Sequence, residues 1–206
     1  MEALQAECND LKREVKSLSL YRDEFIQSCV RHKCIFKNAS DSFKKDRDIV
    51  LSIVRENGLA LQYADVSLRK DPDVVLDAIC NNLSAIDFAD PSLREDREFI
   101  YWAVQIGVCL VYAHEDLRKD REIVLAAVST NRYSLLHADV TLKKDEEIVR
   151  SAVIHAGHTI LYADPKFLRC RRIVSIAMRR EFFHPGDLVK VRAFFHDYKQ
   201  DYCGWP

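Results

Sequence analysis

The stretch FKKDRDIVLSIVRENGLALQYADVS, residues 43–67, is followed at once by LRKDPDVVLDAICNNLSAIDFADPS, residues 68–92. Aligned without a gap, the two keep Asp46 with Asp71, Asp48 with Asp73, Ile49-Val50 with Val74-Val75, and Ala64-Asp65 with Ala89-Asp90. Further copies follow. Blocks begin at Phe43, Leu68, Leu93, Leu117, Leu142 and Phe167, at spacings of 25, 25, 24, 25 and 25. A fixed period of this length marks a repeat architecture, in which one unit cannot bury its own apolar face and neighbours must cover it.

Within each block the apolar residues recur at positions 7, 8, 11 and 12: Ile49-Val50 and Ile53-Val54, Val74-Val75 and Ala78-Ile79, Phe99-Ile100 and Ala103-Val104, Ile123-Val124 and Ala127-Val128, Ile148-Val149 and Ala152-Val153, Ile173-Val174 and Ala177-Met178. That is one stripe of a 3.6-residue helix. Position 4 carries Asp46, Asp71, Asp96, Asp120 and Asp145, a residue type whose carboxylate accepts from free first-turn amides. Acids two residues on (Asp48, Asp73, Glu98, Glu122, Glu147) suit the positive end of the helix dipole. Pro72 falls on a first helical position, where its missing N–H is harmless.

The pattern predicts a helix of about 12 residues closed by a left-handed cap at Gly58, Gly107 and Gly157. Leu83 and Arg132 replace that glycine in the other two blocks, whose caps must close differently. A shorter helix then ends in Tyr63-Ala64, Phe88-Ala89, Tyr112-Ala113, His137-Ala138 or Tyr162-Ala163, and the recurring alanine implies a close backbone contact. The leucine-rich repeat also has a period near this length, but its Leu-x-Leu strand and Asn ladder are absent here. The expected fold is therefore all-α: an α-solenoid of helix–turn–short-helix repeats with helical caps. Residues 43–181 hold five to six repeats, and 20–42 a degenerate one in which Leu20-Tyr21-Arg22-Asp23, Phe25-Ile26 and Ala39 remain recognisable. In residues 1–19, Leu4, Cys8, Leu11, Val15 and Leu18 form a heptad stripe that suits an end cap or a short coiled coil. Residues 182–206, with Leu188, Val191, Phe195, Tyr198 and Tyr202, form an aromatic-rich C-terminal cap.

Composition agrees. Five glycines and five prolines in 206 residues compare with about 14 and 10 at ordinary usage, which disfavours turn-dense β folds and glycine-cradled phosphate sites. A hydrophobic content of 48% supports a core. No apolar run approaches membrane-spanning length, and the N-terminus has no signal-peptide pattern, so an intracellular, by default cytoplasmic, soluble protein is expected. Seven irregularly spaced cysteines read as reduced thiols.

The wording KKDRDIV (44–50) followed by ENGLALQYA (56–64) resembles the domain-of-unknown-function 4116 repeat family, over roughly residues 43–181 with a weaker extension from residue 20. The resemblance implies a helical repeat serving as an interaction scaffold, and brings no catalytic residues with it.

No residue pattern points to catalysis, and a non-enzymatic protein without cofactor or metal is expected. Cys29, His32 and Cys34 lie close together but lack a fourth zinc ligand nearby. His155 and His158 flank Gly157 at a helix end and share no face, while His137 stands in an aromatic packing position. The function expected is a protein-protein interaction scaffold or a structural subunit of a larger assembly, with recognition from positions 5, 9, 10, 13, 14 and 17 of each block.

Two groups are candidates for partner binding. Tyr101 and Trp102 stand where other blocks have Leu51, Leu76 and Leu125, or Ser52, Asp77 and Ala126, so Trp102 is either an exposed anchor or the filler of a gap between units. At the C-terminal end Arg169, Arg171, Arg172, Arg179, Arg180, Lys190 and Arg192 lie among aromatics, a composition suited to RNA or DNA as well as to protein. Nucleic acid at this basic end is the alternative function. The sequence leaves oligomeric state and partner identity open.

Overall fold

The computed structural model describes residues 21–29 and 33–179, whose regular structure is all helical, with no strand among them. They fall into two compact units divided between Ile106 and Gly107. The long helices are labelled α1 (Arg47–Glu56), α2 (Pro72–Asn81) and α3 (Arg97–Ile106) in the first unit, and α4 (Arg121–Thr130), α5 (Glu146–His155) and α6 (Arg171–Arg179) in the second. In the first unit α1 packs on α2 and α2 on α3; in the second α4 packs on α5 and α5 on α6. The segments 1–20, 30–32 and 180–206 lie outside the described residues, and with them the expected N-terminal heptad helix and C-terminal cap.

The predicted stripe is the core. Every residue at positions 7, 8, 11 and 12 is buried except Met178, which is 48% exposed near the end of the described chain. Each Val or Ile withdrawn from water contributes about 1.5–3 kcal/mol.

The five expected Asp caps form. Asp46 accepts from the Ile49 amide, and Asp71, Asp96, Asp120 and Asp145 each accept from two first-turn amides. Pro72, Pro91 and Pro165 begin helical turns as expected.

The helix ends differ from expectation. α1 to α5 have 10 residues rather than 12, because the backbone leaves the helical region directly after the last turn, at Asn57, Asn82, Asn131 and Ala156 (φ −145, −149, −127 and −151) and, after α3, at Gly107. Only Gly107 among the described residues has a positive φ, 116. Gly58 and Gly157 are therefore not left-handed caps. Gly58 is required by proximity instead, since a Cβ there would lie 2.2 Å from the carbonyl oxygen of Ala78 in α2. The two blocks without that glycine close through asparagine side chains: Asn82 Oδ1 accepts from the Ser84 amide and Asn131 Oδ1 from the Tyr133 amide.

The expected second helix is a short, tight segment, 3-10 in Gly58–Tyr63, Leu83–Phe88, Leu110–Tyr112 and Gly157–Tyr162, and α-helical in Ser134–His137. The expected turn to the next block is itself helical, as Val66–Arg69, Pro91–Arg94, Leu117–Lys119, Leu142–Lys144 and Pro165–Arg169. Between the two stands the recurring alanine, in extended conformation. The amide after it reaches back to the start of its own block: Asp65 donates to Lys44 O at 3.0 Å, Asp90 to Arg69 O at 2.9 Å, Asp139 to Arg118 O at 3.1 Å and Asp164 to Lys143 O at 3.0 Å. Each of these blocks is thus closed by a backbone bond, and the chain must run close to its own beginning where the alanine sits.

Candidate functional site

The first residue of a long helix and the acids of the next helix form an ion-pair ladder. Arg47 Nε lies 2.8 Å from Asp71 and its Nη2 2.9 Å from Asp73; Arg121 Nε lies 2.9 Å from Asp145, and the same guanidinium bonds Glu147. Arg22, in the degenerate block, reaches Asp46 at 3.1 Å and Asp48 at 3.5 Å. At the last step the polarity inverts: Glu146 opens α5, and Arg172 of α6 binds back to it at 2.6 Å. These pairs are substantially exposed, so solvent screens them and they add little stability; their value is register. Burial alone would push Asp71 and Asp145 upward, but the arginines and the capped amides outweigh it and hold both carboxyls below their ordinary value. The repeated acids are therefore engaged in caps and ladder.

What the caps, stripe and ladder do not use is the outer surface. On α1 and α2 an ion pair, Arg55 to Asp77 at 2.8 Å, links positions 13 and 10 of consecutive blocks. One block later the same two positions hold Cys80, exposed, and Trp102, 50% exposed. Tyr101 is half-buried and meets the Trp102 ring edge-on, with centroids 5.8 Å apart. Trp102 is thus half-exposed rather than buried in a gap between blocks. Not all the expected recognition positions reach the surface: Leu51 at position 9 and His158 at position 17 are buried.

The basic end is less available than its composition implies. Arg172 is paired with Glu146, and Arg169 and Arg171, though exposed, are already engaged within the protein. Arg179 is exposed, whereas Arg180, Lys190 and Arg192 lie outside the described residues. No group of three metal-ligating side chains occurs among the described residues. Cys29 is buried in the core, and burial pushes its thiol up to about 11. His137 is half-buried; burial, then Arg118 and Lys143, lower its affinity for a proton.

The family model described as "Domain of unknown function (DUF4116)" matches three times, over residues 23–69, 71–110 and 103–143. This chain belongs to the DUF4116 family. The first match begins inside the degenerate block, where the Arg22 pairs repeat the 24- and 26-residue offsets of the Arg47 pairs. The matches end at residue 143, yet the following DUF4116-like block still has the Asp145 cap and the ladder. No curated protein and no solved structure matches the chain.

One surface feature of the DUF4116 repeats escapes a reading for charges and aromatics. The position before the block-ending aromatic is Gln62 and Asp87, both exposed, in the first unit, but Val111 and Leu136, both exposed, and Leu161, half-buried against the core, in the second. The change from polar to apolar is visible in the alignment of blocks; it carries meaning only once the position is known to face outward. No described helix is long and apolar enough to cross a membrane.

Proposed function

We propose that the DUF4116 blocks of this chain stack as an α-solenoid and serve as a non-enzymatic scaffold for a protein partner, as a subunit of a larger assembly. The observation that carries this reading is Trp102, a large aromatic held half-exposed on a rigid helix in a slot where the preceding block has an ion pair. Tryptophan at a surface is enriched where proteins meet. The pairs that recur at offsets of 24 and 26 residues, from Arg22, Arg47 and Arg121 to the acids of the block that follows each, support stacking. The free thiols Cys29, Cys80, Cys109 and Cys170 fit a reducing, intracellular setting.

The test is capture by the immobilised full chain from extract of its native source, after nuclease treatment, with the eluate quantified for polypeptides near one-to-one stoichiometry. The scaffold reading expects at least one such polypeptide, and weaker retention of it by Trp102→Ala. Absence of any stoichiometric protein overturns it. If nucleic acid is instead retained at low salt and lost on charge reversal of Arg171, Arg172, Arg179 and Arg180, the alternative at the basic end takes its place.

A further inference from the structure

The second unit carries an apolar column with its own pair of cations. Val111, Leu136 and Leu161 hold one register position on three neighbouring short segments, Leu110–Tyr112, Ser134–His137 and Gly157–Tyr162, each packed on the next. Val111 is 41% exposed, Leu136 44%, and Leu161 half-buried. The same position in the first unit is Gln62 and Asp87, so a block closes without an apolar residue there. Residues 107–113, 132–138 and 157–163 contain no Asp, Glu or Lys and one Arg, Arg132, whose guanidinium lies over the Tyr133 ring at 5.2 Å.

Arg118 and Lys143 border this column through its own backbone. Arg118 donates from Nη2 to Val111 O at 2.8 Å and from Nε to Ala113 O at 2.9 Å; Lys143 donates from Nζ to Leu136 O at 2.7 Å. Both bonds to the column span seven residues, so the two cations occupy equivalent places on successive segments. Neither forms an ion pair with a carboxylate among the described residues, although most cations of the ladder do.

We propose that this column docks an acidic amphipathic helix of a partner protein, its apolar residues on Val111, Leu136 and Leu161 and its carboxylates on Arg118 and Lys143. The proposal rests on the scaffold reading and names its partner surface. Spacing selects a helix. Packed helical layers lie about 10 Å apart, and on an α-helix residues i, i+7 and i+14 recur on one face about every 10 Å. An extended strand repeats its facing side chains at about 7 Å and falls out of step by the second layer. A nucleic acid offers anions to the two cations but no aliphatic side chain for the column.

The probe is a fluorescein-labelled 18-residue helical peptide with Leu at its positions 2, 9 and 16 and Glu beside them. It is compared with the same peptide carrying Ser at those three positions and with a 15-nucleotide oligo-dU. Fluorescence anisotropy with the full chain should show the Leu peptide binding at least tenfold more tightly than either control. Leu136→Ser and Val111→Ser should each weaken it about fivefold or more, Lys143→Gln should weaken it and flatten its salt dependence, and Gln62→Ser should leave it unchanged. The exposed positions of Val111 and Leu136 make these folded variants, verified by unchanged circular dichroism. The proposal is overturned if the Leu and Ser peptides bind alike, if Leu136→Ser has no effect, or if the oligonucleotide binds as well. Capture of a stoichiometric native protein that survives Leu136→Ser would overturn this site and leave the scaffold reading standing.

Discussion

Replacing Gly58 by alanine tests how closely consecutive blocks approach. The added Cβ would stand 2.2 Å from Ala78 O and 3.1 Å from the Asn82 amide nitrogen, both backbone atoms of the next block. Ala78 O is fixed by the Asn82 amide, which donates to it at 2.9 Å, so the carbonyl cannot turn aside. The blocks must separate by about 1 Å to restore ordinary van der Waals contact. That separation breaks a two-bond clamp, in which the Gly58 amide donates to Asn81 Oδ1 at 2.8 Å and Asn81 Nδ2 donates to Arg55 O at 2.9 Å. Overpacking costs about 1–3 kcal/mol, and two lost hydrogen bonds about 1 kcal/mol each, so Gly58→Ala should destabilise by about 3–5 kcal/mol. Urea unfolding followed by circular dichroism measures it, with Asn81→Ala and the double variant completing a cycle. Because the clamp is already broken in Gly58→Ala, the double variant should lose less than the sum of the singles. Gly58→Asn separates proximity from backbone handedness: asparagine suits a left-handed cap but clashes here as alanine does. A loss below about 1 kcal/mol for Gly58→Ala, or tolerance of Gly58→Asn, would refute the reasoning.

At Ser134 the buried hydroxyl has no hydrogen-bond partner, in a slot where other blocks have Ala60 and Ala85; Ser134→Ala should raise stability by about 1 kcal/mol in urea unfolding. The inverted rung predicts that Glu146→Arg and Arg172→Glu each destabilise slightly, by under about 1 kcal/mol, while the double swap restores wild-type stability; a double-mutant cycle whose coupling vanishes in high salt would show it. The amide and hydroxyl of Ser67, and the hydroxyl and amide of Ser92 and Thr141, hold Asp65, Asp90 and Asp139 below their ordinary carboxyl value. Lowered folded-state values contribute stability that is fully present above the unfolded value of about 3.9 and is lost as pH falls through the folded one. Unfolding midpoints should therefore be level above about pH 5 and drop below pH about 4, with a shallower drop in Asp139→Asn.

The long helices were legible because the stripe at positions 7, 8, 11 and 12 recurs in all six blocks and the Asp cap in five, with Pro72 marking the start of α2. The helix ends were not, because Gly58 and Gly107 look alike in sequence while one answers to a neighbouring carbonyl and the other to a positive φ. Nor was block closure, since a backbone bond such as Asp65 to Lys44 leaves no side-chain signature beyond the adjacent alanine. Among the candidate residues, Trp102 stood out as a break in a small or polar slot, and the structure exposes it. In the arginine cluster, composition does not reveal that Arg172 completes an inverted ladder step. The column at Val111, Leu136 and Leu161 was missed for the opposite reason: apolar residues read as core until their exposure is known.

Amide hydrogen exchange on the full chain, resolved residue by residue by NMR, tests most directly whether each block is a closed structural unit on which an outer recognition surface is held. Closure predicts that the amides of Asp65, Asp90, Asp139 and Asp164 exchange as slowly as the interior amides of α2 and α5, despite their position at chain turns. Exchange of these four amides at the rate of an unstructured peptide would contradict it.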